Sequence, residues 1–205
     1  MKEKIVEVAE SLFMRLGIRS VTMDDVAREL SISKKTLYQS FAHKDELVTA
    51  VARLHMDREI EQFTSIAKDA ENAIDELHRI AYCMRQNILK MNPSTLYDIQ
   101  KYHKTAWGMF QDFKTDFIKT NIKHNLNRGI TEGFYRPEIN TEIIAQFRIE
   151  QVEMMFDGQT FASSQFDFVE VQMQLFDHFV HGLLTHDGRA LYKNFQQVDL
   201  NISHS

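Results

Sequence analysis

The stretch from Ser20 to Leu47, SVTMDDVARELSISKKTLYQSFAHKDEL, leaves the chain few choices. Val26, Ala27 and Leu30 fall on one helical stripe and Leu37 and Phe41 on a second, so two short helices are expected, each burying one face. Only Ser31 and Ile32 lie between them. A connection that short makes the helices cross steeply and turns one face of the second outward, which is helix-turn-helix spacing. Two caps reinforce the reading. Thr22 stands three residues before Asp25, so its hydroxyl can accept an orphan N–H while the carboxylate reaches back, and Ser33 can cap the second helix.

The outward face carries Lys34, Lys35, Thr36, Tyr38 and Gln39. Both lysines fall in the first helical turn, where the helix dipole disfavours cations, so helix stability does not explain them and an external anion does. Thr36 can touch a base edge or a thymine methyl, Tyr38 can donate to a phosphate, and Lys44 at the start of the next helix can pair with a second phosphate. His43 can join them when protonated. The plain alternative is a solvated helix face, the commoner meaning of a charge run. Spacing and two caps weigh against it.

The string from Val21 to Leu47, with Thr22, the Asp-Val-Ala-Arg-Glu-Leu helix, Ser33-Lys34-Lys35-Thr36-Leu37-Tyr38, Phe41 and Lys44-Asp45-Glu46-Leu47, resembles the DNA-binding domain of TetR-family transcriptional regulators. The resemblance implies that Thr22, Tyr38 and Lys44 hold the DNA backbone while Lys34, Lys35 and Thr36 face the major groove. The sequence departs from the pattern at Ser31, where such domains often use glycine, and at His43, where a small capping residue is frequent.

Only 7 Gly and 2 Pro punctuate 205 residues, and apolar residues recur at helical spacing, so an all-α fold is expected: a three-helix head over 1–47 and a helical body for ligand binding and dimerisation over 48–205. A net charge of -5 sits awkwardly with DNA until it is placed. Residues 1–49 hold eight Lys and Arg against eight Asp and Glu, so the body carries the whole deficit and is repelled by DNA, which helps to orient the head. The single cysteine, Cys83, cannot form an intrachain disulfide, and no secretory signal or membrane-spanning run is visible; a cytoplasmic protein is expected.

Before the motif, Ile5, Val8, Ala9, Leu12, Phe13 and Leu16 give an amphipathic brace ending at Gly17, a usual left-handed cap. After it, the pattern from Asp45 to Ile66 has no breaker, so one helix is expected to join head to body. Further helices are expected over 73–91, over 95–127 with a split near 104–108, and as a last long pair near 141–160 and 166–186. The string GITEGFYRPEINTEIIAQF also resembles the connection between the seventh and eighth helices of TetR-type bodies.

Along the last of these helices Val169, Met173, Phe176, Val180 and Leu183 form one apolar stripe and Phe168, Val171, Leu175, Phe179 and Gly182 another. One core cannot bury both, so a second copy is expected to cover the first stripe, together with Val152 and Met155 of the preceding helix. The alternative is a helix buried within one subunit. The aromatic segment from Tyr97 to Phe117 marks where TetR-like bodies keep a small-molecule pocket, and by that resemblance Tyr102, His103, Trp107, Phe110, Phe113 and Gln146 would line a site for a largely hydrophobic effector. Ordinary core packing is the competing reading for each aromatic.

No cofactor is implied. His178, His181 and His186 lack a completing ligand set, and no nucleophile elbow, phosphate loop or zinc-protease pair suggests an enzyme. The expected function is a homodimeric, effector-responsive repressor of a palindromic double-stranded operator. The alternatives are a helical protein-interaction adaptor and a metal- or redox-responsive regulator.

Overall fold

A computed structural model describes residues 1–92, 94–154 and 165–202. The described residues are helical, apart from turns and one isolated bridge between Tyr135 and Leu184. The helices are α1 (Lys2–Leu16), α2 (Met23–Glu29), α3 (Lys34–Ser40), α4 (Lys44–Asp69), α5 (Ala73–Lys90), α6 (Ser94–Tyr102), α7 (Lys104–Phe113), α8 (Lys119–Thr131), α9 (Thr141–Met154), α10 (Phe168–Leu183) and α11 (His186–Ile202), with a π-helical turn at Lys114–Ile118 before α8. They form two compact units, Met1–Ile60 with Leu89–Phe113, and Glu61–Ile88 with Lys114–Ser205.

In the first unit Ile5, Ala9, Leu12 and Phe13 of α1 bury against Val26 and Ala27 of α2, Leu37 of α3, Phe41, and Leu47 and Val48 of α4. The apolar stripes of the sequence thus meet in one core. The unit extends beyond residue 47. Ala106 of α7 is fully buried in that core, Asn92 donates its N–H to the Met14 carbonyl at 2.6 Å, and the Thr95 hydroxyl donates to the Phe13 carbonyl at 3.3 Å. Gly17 ends α1 with φ 81° and ψ 151°, an extended mirror-image conformation rather than the left-handed helical cap expected. Only glycine takes it readily, and a Cβ there would lie 2.8 Å from the Ser94 hydroxyl.

The second unit is pinned at the start of α5. Asn72 caps that helix by accepting the N–H groups of Ile74 and Asp75, and Glu132 accepts the Ala73 N–H at 2.7 Å. The Ala73 carbonyl in turn accepts from Asn125 at 3.0 Å and from the buried Tyr135 hydroxyl at 3.1 Å. Tyr135 can reach it because residue 129 is glycine: a Cβ there would stand 2.1 Å from the tyrosine ring. The GITEGFYRPEINTEIIAQF string therefore serves as the packed connection from α8 to α9.

Three further expectations change. His103, outside both flanking helices, divides α6 from α7, slightly before the predicted 104–108 region. A further helix, α11, follows the pair expected to be last, and its Tyr192 is buried in the unit's core. Finally, Phe176, Val180 and Leu183, expected on the dimer-facing stripe of α10, are 4%, 0% and 2% exposed in the core of their own subunit. Helical spacing groups residues by face but does not say which face the chain itself will cover. Val152, Val169 and Met173 stay partly exposed, and Met155 lies outside the described residues.

Candidate nucleic-acid interface

The α2–turn–α3 segment is held by its caps. Thr22 accepts the Asp25 N–H at 3.2 Å and gives its own N–H to the Asp25 carboxylate at 2.9 Å, closing the capping box. Those hydrogen bonds, with the Arg28 charge, hold the Asp25 pKa below the usual carboxylate range. Ser33 accepts the Thr36 N–H at 3.1 Å, and the two hydroxyls share a hydrogen bond of 2.8 Å. Between the caps, Ser31 takes φ 53°, and among the described residues it is the one non-glycine residue with positive φ. The tight turn therefore keeps its left-handed geometry without glycine, at some backbone strain.

Rigid caps and a short turn leave Lys34, Lys35, Tyr38 and Gln39 exposed on α3, with Thr36 half-buried beside them. Lys35 has no partner among the described residues. Lys34 pairs with Asp24 of α2, a contact that raises its pKa. Both groups are exposed, so the pair is readily exchanged for a phosphate or a base edge. This is a compact outward ridge with one free lysine, one exchangeable lysine, a phenol and an amide. The family model for "Bacterial regulatory proteins, tetR family" matches residues 5–51, which contain the whole ridge and its brace.

The chain carries a TetR-family regulatory domain over residues 5–51.

It is thus a DNA-binding regulator, and its relatives agree. The chain is similar to the HTH-type transcriptional repressor KstR2 of Mycobacterium tuberculosis, at 23% identity over 70% of this chain and 74% of that protein. It is also 26% identical to the uncharacterized HTH-type transcriptional regulator YvaF of Bacillus subtilis, over 89% of this chain and 95% of YvaF. The fold is similar to that of a putative transcriptional regulator from Saccharomonospora viridis solved in complex with choline, with a TM-score of 0.72, 16% identity, and 90% and 98% of the two chains covered.

Two residues of this TetR-family head work differently from their sequence reading. His43 accepts the Glu46 N–H on Nδ1 at 3.3 Å and so caps α4. That leaves Nε2 as the ring nitrogen available to a phosphate. Lys44 turns inward, donating to the Ile18 carbonyl, with its ammonium 5.9 Å from the Phe13 ring. Burial draws its pKa down against the opposing charges of Asp98 and Asp25. It fastens the start of α4 to the α1–α2 connection. Sequence inspection could not assign that role, because the acceptor is a backbone carbonyl 26 residues away.

The proposed effector residues fall in both units. Tyr102, His103, Trp107, Phe110 and Phe113 belong to the first unit, and Gln146 to the second. Tyr102 is 46% exposed beneath the Arg19 and Lys101 cations, and His103 is buried with Nδ1 2.7 Å from the Asp45 carboxylate on α4. Trp107 stacks on Phe110. Gln146 is exposed and donates to Glu150 at 2.6 Å on its own helix. Cys83 is buried. Among the described residues no group of three metal-ligating side chains comes together, and no helix is long and apolar enough to cross a membrane.

Proposed function

We propose that this TetR-family protein is a cytoplasmic repressor that binds a two-fold operator as a homodimer and releases it when a small molecule occupies its second unit. The α3 ridge carries the reading. Lys34, Lys35, Thr36 and Tyr38 are the residue types that pair with phosphates and base edges, and the caps fix them on a helix short enough to enter a major groove. The dimer is supported by Ile143 and Phe147, one turn apart on α9 and 63% and 51% exposed, and by Val169 and Met173 on α10, which stay partly exposed. An effector is supported by the choline held by the S. viridis protein of like fold.

Selection of bound duplexes from a random pool, followed by footprinting, tests the proposal. The expected product is a two-fold site with half-sites centred one helical turn, about 34–36 Å, or a multiple apart. Tyr38→Ala should weaken all sequences alike and Thr36→Ala should change base preference. Phe147→Glu should give monomers in sedimentation and lose the two-fold footprint. Selection of no sequence, or a footprint without two-fold symmetry in the wild type, would refute the reading.

A further inference from the structure

Arg148 lies on the inward face of α9, 4% exposed, in the second unit. Its guanidinium stands over two rings of α10, 5.2 Å from the centre of Phe176 and 5.5 Å from that of Phe179. Among the described residues nothing accepts its N–H groups and no carboxylate pairs with it. Burial, unopposed, draws its pKa down to about 10. One turn further along α9, Gln151 is 7% exposed, and its Oε1 is buried without a hydrogen-bond partner among the described residues. Acids on the same helix are engaged elsewhere: Glu153 with Lys114, Glu150 with Gln146, and Glu142 with Lys119 and Lys123.

Among the described residues, then, a cation lacks a counter-ion beside an acceptor that lacks a donor, which is unusual for a protein interior, where buried charges are paired and buried polar atoms are hydrogen-bonded. Water can satisfy an amide oxygen, but it does not neutralise a guanidinium. The aromatic rings take the face of the guanidinium. Its edge, with a fork of N–H donors, is matched by a planar carboxylate, which accepts two of them at once.

We propose that Arg148 and Gln151 form the polar end of a site for an organic carboxylate with an apolar body. The acid pairs with the Arg148 guanidinium, a hydroxyl or N–H of the ligand donates to the Gln151 Oε1, and the hydrocarbon lies against Phe176 and Phe179. This assignment rests on the effector-responsive reading above, to which it adds the chemical class of the effector. An amphiphilic anion is thereby distinguished both from a purely apolar molecule and from a cation such as choline.

Calorimetry and thermal melting of the full chain with hexanoate, decanoate, their methyl esters, choline and inorganic phosphate test it. Decanoate is expected to bind and raise the melting midpoint, while its ester, choline and phosphate do not. Arg148→Met, with unchanged circular dichroism, should bind decanoate roughly ten- to a hundredfold more weakly. β-Hydroxydecanoate should bind more tightly than decanoate to the wild type but not to Gln151→Leu. The proposal is overturned if neither acid binds at millimolar concentration, if the ester or phosphate binds as well as decanoate, or if Arg148→Met leaves decanoate affinity intact. Operator affinity, measured by anisotropy on the same samples, separates the two readings: acid binding without DNA release keeps the anion site and removes its role as an effector site.

Discussion

Two arginines of the second unit, Arg128 and Arg148, are held in opposite ways. Arg128 on α8 donates to Glu132 at 2.8 Å, to Glu76 at 3.2 Å and to the Ala70 carbonyl at 2.9 Å. Burial pulls its pKa down, but Glu132 and Glu76 more than offset this, and the net shift is upward. Arg148 is more deeply buried and has two aromatic faces in place of carboxylates. The same side chain thus closes a network at one position and, among the described residues, leaves one open at the other. A group satisfied by its own chain maintains the fold, whereas one left unsatisfied is available to something outside it.

The most severe way to break the contrast is to open the closed network. Glu76→Ala should leave Arg128 with only Glu132 and the Ala70 carbonyl, remove one hydrogen bond from Asn125, open a buried gap and lower unfolding free energy by about 2–3 kcal/mol, read by urea titration. Arg148→Met should have the opposite sign. Removing an uncompensated buried charge in favour of an apolar side chain of similar length is expected to raise stability by about 1–2 kcal/mol. A loss comparable to that of Glu76→Ala would instead show that Arg148 is a structural residue.

The head offers a smaller version of the same test, with strain in place of charge. Ser31 holds a left-handed conformation that disfavours side-chain-bearing residues by roughly 1–2 kcal/mol, while glycine loses more unfolded-state entropy, about 0.5–1 kcal/mol. Ser31→Gly should therefore stabilise the protein by about 0.5–1 kcal/mol in thermal melts and leave the selected DNA sequence unchanged.

The smallest effect belongs to a cluster intermediate between the two arginines. Burial would lower the pKa of His55, but the hydrogen bond to Glu10 and the charges of Glu59 and Glu10 outweigh it and raise the value. A raised folded-state pKa stabilises the charged ring. That contribution is complete below the unfolded value of about 6.5 and is lost as pH rises through the folded value. Denaturation midpoints of the wild type should fall across that window, and those of His55→Gln should fall less.

Much of this could be read along the chain and some could not. The caps at Thr22 and Ser33, the ridge on α3 and the unbroken α4 follow from local spacing, because each depends on residues within a few turns of one another. What escaped depends on partners remote in sequence: Lys44 with the Ile18 carbonyl, His103 with Asp45, Arg148 with Phe176 and Phe179. The stripe on α10 was visible as a pattern, but Phe176, Val180 and Leu183 proved to be interior, since α11 and the α8–α9 connection supply cover that periodicity does not reveal. The apolar pair Ile143 and Phe147 passed unnoticed because α9 also carries Gln146 and Glu150 on its outer side.

The attachment of Asn92, Thr95 and His103 to α1 and α4 has a practical consequence for anyone recombining such regulators. A chimera spliced just after residue 47 would carry away the reading helices but leave behind the residues that clasp them from later in the chain. Specificity should transplant cleanly only when the graft brings 89–113 along, so the portable cassette here is discontinuous in the gene.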